Sequence, residues 1–95
     1  MNVRNRYQIK TKYGTFYAII WHDLADKAYL VRVSSLNNAA TFGSSLADAK
    51  RMAADLIELL CEVAFDKGKI VIDDERRVFG RNKLARTASV AELVA

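Results

Sequence analysis

TFGSSLADAKRMAADL, residues 41–56, is the stretch on which the reading of the fold turns. An extended segment stops at Gly43, and a helical pattern starts two residues later. Ser45 followed three positions on by Asp48 forms a capping box of the S-x-x-D kind, the signature of a helix N-terminus. Such a cap contributes about 1 kcal/mol. From there Leu46, Ala49, Ala53, Leu56, Ile57, Leu60, Val63 and Ala64 recur at helical spacing. Lys67 and Gly68 supply a charge-matched, glycine-terminated stop. The pattern predicts a helix over Leu46–Asp66. A glycine and two serines ahead of a helix also suit an anion. The cap accounts for Ser45, however, and neither G-x-x-x-x-G-K-[ST] nor G-x-G-x-x-G occurs in the chain.

Upstream of this junction the sequence reads as strands. In VRNRYQIKTKY the even positions carry Arg4, Arg6, Gln8, Lys10 and Lys12, and the odd ones Tyr7, Ile9 and Tyr13. That period of two marks a strand with one buried face. Gly14 offers a turn. TFYAIIWH is apolar almost throughout and predicts a central strand covered on both faces. After the polar break DLADK, AYLVRVSSL alternates again, and residues 39–42 offer a short fourth strand. KIVIDD, beyond the helix, is a last short strand. The predicted fold class is therefore α+β: an antiparallel three- to four-stranded sheet with one long helix packed on one face, in the order β-β-β-α-β, plus a basic C-terminal tail. The core is assigned to residues 1–74 and the tail to residues 75–95, where Ser89 and Glu92 mark a short terminal helix.

The 95 residues suit one domain, and 52% hydrophobic with 27% charged residues is the composition of a globular one. No apolar run approaches the ~18 residues that span a bilayer. Arg4 and Arg6 are not followed by the apolar core of a signal peptide. The expectation is a soluble cytoplasmic protein with no membrane role. A small core and the apolar run TFYAIIW favour a homodimer.

The means of catalysis are sparse. His22 is the sole histidine and Cys61 the sole cysteine, so neither an intrachain disulfide nor a zinc set of those ligands can form. Cys61 lies in an apolar helical run and reads as a buried small hydrophobe. Asp73, Asp74 and Glu75 are the only carboxylate cluster, and beside Arg76 and Arg77 they read as a solvated, salt-bridged corner rather than a magnesium site. His22 reads as a strand-end residue and Trp21 as core or interface. No enzyme activity, cofactor or metal is expected. The net charge of +4 directs attention to the surface: Arg4, Arg6, Lys10 and Lys12 on the first strand, and Arg76, Arg77, Arg81, Lys83 and Arg86 in the tail, are the candidate contacts for nucleic acid or a partner. Lysines and arginines on an edge strand also guard against aggregation.

The segment VSSLNNAATFGSSLADAKRMAADLIELLCEVAFDKGKIVI resembles the core of HicB-like antitoxins, which have a partial RNase H-like fold. Leu36 takes the leucine position of the turn. Thr41 and Gly43 take the T-x-G, Ser45 the cap, Asp48 the acidic partner and Ala49 the following alanine; FDKGKIVI resembles the usual helix exit. The resemblance covers about residues 15–72. It implies a non-catalytic binding protein, an antitoxin or small inhibitor acting by protein–protein contact on a nucleic-acid-processing partner such as a small RNase toxin. The alternative from the residues themselves is a module that binds nucleic acid directly through the basic strand face and the tail.

Overall fold

The computed structural model describes residues 4–80. The chain runs β1 (Asn5–Thr11), β2 (Gly14–Asp23), β3 (Ala28–Val33), a 3-10 turn (Ser34–Leu36), β4 (Ala39–Gly43), α1 (Leu46–Asp66), β5 (Val71–Ile72) and β6 (Val78–Phe79). The first four strands form one antiparallel sheet in chain order, and α1 lies across one of its faces. This is the two-layer α+β architecture that the sequence predicts. The strand after the helix does not join that sheet: β5 pairs with β6 in a hairpin of its own. Folded structure thus continues past Asp74, through β6 to Gly80. The terminal-helix expectation at Ser89–Glu92 lies outside the described residues.

Register follows from the turns. β1 and β2 pair from Thr11↔Gly14 to Asn5↔Ile20, so the chain reverses over Lys12 and Tyr13 rather than at the glycine. The Thr11 hydroxyl locks this turn, accepting from the Tyr13 N–H at 3.1 Å and donating to the Gly14 carbonyl at 2.9 Å. Gly14 instead opens β2, at φ 110°. Between β3 and β4, Asn37 and Asn38 both take left-handed backbone, at φ 59° and 57°, a conformation asparagine tolerates better than most residues.

The helix begins and ends as its sequence dictates. Ser45 is the N-cap and its hydroxyl accepts from the Asp48 N–H at 3.0 Å. The Asp48 carboxylate reaches back one residue further than in a standard box, accepting from the N–H and the hydroxyl of Ser44. At the far end Gly68 sits at φ 76°, with its N–H on the Phe65 carbonyl and the Lys69 N–H on that of Ala64. This is a Schellman stop. Ala49, Ala53, Ile57, Cys61 and Phe65 form the buried stripe of α1 and pack on Ile9, Phe16, Ala18, Ile20, Val31 and Val33 of the sheet.

The small residues at the start of that stripe let the helix close down on β4. A Cβ on Gly43 would collide with the backbone of Ala49, so the glycine of the opening motif serves close approach and not a ligand. Gly43→Ala should cost about 1–3 kcal/mol, as overpacking does, read as a lower urea midpoint at unchanged slope. An unchanged midpoint would mean that the strand and helix are not in contact there.

One expectation about β2 needs correction. Its helix-side residues Phe16, Ala18 and Ile20 are fully or almost fully buried, but α1 covers only that face. On the other side Thr15 and Trp21 are buried without the helix, while Tyr17 and Ile19 are only partly covered. Among the described residues no helix is long and apolar enough to cross a membrane.

Candidate functional site

The sheet face opposite α1 is where the sequence-predicted cations meet. Alternation along β1 sends Tyr7 and Ile9 to the helix side and Arg6, Gln8 and Lys10 to the open side. The register then sets Arg6 beside Ile19, Ile19 beside Arg32 of β3, and Arg32 beside Ala40 of β4. One row over, Trp21, Leu30 and Phe42 are cross-strand neighbours. The Arg4 guanidinium lies 4.3 Å from the centre of the Trp21 ring, and that of Arg6 lies 4.7 Å from the ring of Tyr17. Each such contact contributes about 0.5–1 kcal/mol at an exposed site. The face is therefore a layer of aromatic and aliphatic side chains with guanidinium groups laid on top. Trp21 is buried, and Phe42 at 62% exposure is its most open apolar member.

Arg4, Arg6, Lys10 and Arg32 are all exposed, and none of them makes an ion pair among the described residues. Arg6, Tyr17 and Ile19 also border a shallow cleft of about 390 Å³, closed on its far side by Ser34, Ser35 and Asp74.

The carboxylate cluster has a different role from the one its sequence suggests. β2 extends past the start of its pairing with β3, which leaves the Thr15 and Tyr17 N–H groups without a strand partner. Asp73 accepts from the first at 2.8 Å and Asp74 from the second at 2.7 Å. Asp73 is 2% exposed, so it is a buried group and not a solvated corner. It also accepts from the N–H groups of Glu75 and Arg77 and from Arg77 Nε. Burial pushes its carboxyl pKa up, but these N–H donors and the Arg77 charge together outweigh that and hold it below the ordinary 3.8. Arg77 in turn reaches Thr15 Oγ1 and Glu75. The Asp73–Arg77 pair ties the β5–β6 hairpin to the sheet.

The nine cations singled out in the sequence thus separate. Arg4, Arg6 and Lys10 share the open face. Lys12 does not: it sits in the β1–β2 turn and points to the helix side, 3.5 Å from Glu62. Arg77 is a structural ion-pair partner. Arg76 is exposed at the hairpin turn, at φ 68°. Arg81, Lys83 and Arg86 lie outside the described residues. Sequence reading missed Arg32, Tyr17 and Trp21 as members of the face. The two-residue reversal at Lys12–Tyr13 was the available signal, because it fixes which β2 residues stand beside Arg6.

His22 stacks at a tilt on Tyr29, with ring centres 4.8 Å apart. Among the described residues no three or more histidine, cysteine, aspartate or glutamate side chains are grouped to hold a metal. Cys61 is fully buried, and burial, then Glu58 and Glu62, push its thiol up to about 11. A thiol held in that state is a poor nucleophile. At pH 8 the folded protein should leave it unmodified by Ellman's reagent while unfolded protein reacts at once; fast labelling of the folded protein would contradict the burial.

The architecture is that of a small α+β sandwich with one open, basic sheet face. No protein-family model, no curated protein and no solved structure matches the chain.

Proposed function

We propose that the protein is a non-catalytic binding module whose open sheet face receives a single-stranded nucleic acid. The observation that carries this reading is Arg32. Edge protection is a sufficient reason for cations on β1, but β3 is an inner strand with partners on both sides and needs no such guard. An unpaired arginine there, in line with Arg6 across Ile19, extends the positive charge over three strands of the face. Phosphates supply the complementary charge. The Arg4 and Arg6 guanidinium groups lie over the rings of Trp21 and Tyr17 and remain exposed, which leaves their N–H groups for phosphate oxygens. Among the described residues the sole α-helix lies on the opposite face, so none projects from this sheet face into a groove, and this favours a single strand over a duplex. Titration of a labelled single-stranded oligonucleotide at low salt tests the reading, and no measurable binding would overturn it.

A second reading, contact with a protein partner as an antitoxin or inhibitor of the HicB-like kind, is favoured by β4. This strand is a free sheet edge, and its sequence AATFG carries no charge and no proline, the devices that usually close an edge to strand addition. On this reading Phe42→Lys abolishes capture of a partner while leaving oligonucleotide affinity intact or raised. Retained capture by that variant would exclude β4 as the contact.

A further inference from the structure

The outer surface of α1 carries a second apolar stripe that the fold does not use. Met52, Leu56, Leu59 and Val63 follow one another at steps of four, three and four residues, the a/d spacing of a coiled-coil seam. They lie to one side of the buried stripe and outside the core cluster. Leu59 is 57% exposed and Val63 41%. Val63 and Leu60 also line a cleft of about 230 Å³ against Leu36, Asn37 and Val71.

We propose that this seam is the interface with a second copy of the chain, the two α1 helices packing antiparallel about a two-fold axis between Leu56 and Leu59. A two-fold interface must be self-complementary, and the seam is. Setting Leu56 of one copy against Leu59 of the other also sets Met52 against Val63. Methionine is the side chain best suited to fill the irregular cleft beside Val63. The same register brings Asp48 level with Lys67. Asp48, Arg51 and Asp55 form an ion-pair cluster of net negative charge near the helix start. Lys67 and Lys69 follow the helix end and make no ion pair among the described residues. An antiparallel pair therefore sets the Asp48 carboxylate of each copy opposite the Lys67 ammonium of the other, whereas a parallel pair would set each of these charges against its own like. The antiparallel order also sets the helix dipoles head to tail. This interface leaves the open sheet face free on both copies.

The test combines oligomeric state with register. Light scattering on the full chain at micromolar concentration should give a dimer. Leu59→Glu, an exposed position whose change spares the core, should weaken dimerisation by about 100-fold or more, because each dimer then carries two carboxylates across an apolar seam. Circular dichroism of this variant should match that of the parent, which separates loss of the interface from loss of the fold. For the register, Met52→Cys and Val63→Cys proteins are oxidised separately and mixed. Only the mixture should cross-link efficiently, since antiparallel helices hold position 52 far from its own copy. The buried native Cys61 does not compete. A monomer at all concentrations, a dimer unaffected by Leu59→Glu, or efficient cross-linking of either variant alone would each overturn the proposal, the second by pointing to another surface such as the β4 edge.

Discussion

Asp73→Ala should lower the stability of the protein by about 3–5 kcal/mol, the combined cost of several hydrogen bonds lost from one buried carboxylate whose ion-pair partner Arg77 is itself exposed. The loss is large because one carboxylate serves several donors at once. Its removal leaves the backbone N–H groups of Thr15, Glu75 and Arg77 without an acceptor and takes from Arg77 its buried partner. Each orphaned buried donor alone costs about 1–3 kcal/mol. Small domains have only about 5–15 kcal/mol in total, so the variant should be partly unfolded at ambient temperature or show a much lower urea midpoint. A change below about 1 kcal/mol would mean that the β5–β6 hairpin is not a working part of the fold.

The same group sets an acid limit. The folded-state pKa of Asp73 lies below its ordinary 3.8, so its contribution is fully present above that ordinary value. It is lost as pH falls through the lowered, folded-state value. Asp73→Asn should flatten this part of the acid-unfolding profile.

The second large effect concerns binding. Replacing Arg4, Arg6 and Arg32 together with glutamine removes three of the four unpaired cations of the open face and keeps Lys10. Glutamine preserves much of the aliphatic cover over Tyr17 and Trp21, so the fold should survive. If each arginine contributes about 1 kcal/mol to a phosphate contact, the triple variant binds an oligonucleotide about 150-fold more weakly than the parent. As a control, Arg51→Gln removes a cation on the helix, remote from the open face, and should leave affinity unchanged. Equal loss in control and triple variant would mean that net charge, not this face, governs binding.

The features legible in the sequence were those fixed locally. The helix boundaries, the Ser45 cap and the Gly68 stop each depend on residues within one turn of one another, and the structure places them where the sequence predicts. The alternation of β1 likewise assigned Arg6 and Lys10 to one face. Lys12 escaped it because the alternation ends where the strand does, one residue earlier at Thr11.

β2 was harder to read. When both faces of a strand are apolar, periodicity cannot tell which one the helix covers, so the aromatic half of the open face stayed hidden behind a prediction of double coverage. Asp73 was misread for a related reason. Its near neighbours are charged, which suggests solvent, but Thr15, whose N–H it binds in the sheet, is 58 residues away in the chain. The buried state of an acid depends on such distant partners.

The salt dependence of oligonucleotide binding tests the central claim most directly. If Arg4, Arg6, Lys10 and Arg32 each neutralise one phosphate of a single strand, the slope of log K against log salt should be about −2.8, a loss of about 50-fold in affinity between about 50 and 200 mM salt, and the triple variant should retain a slope near about −0.7. The account predicts that pair of slopes. Absence of binding at the lowest salt, or a triple variant with the parent's slope, would contradict it.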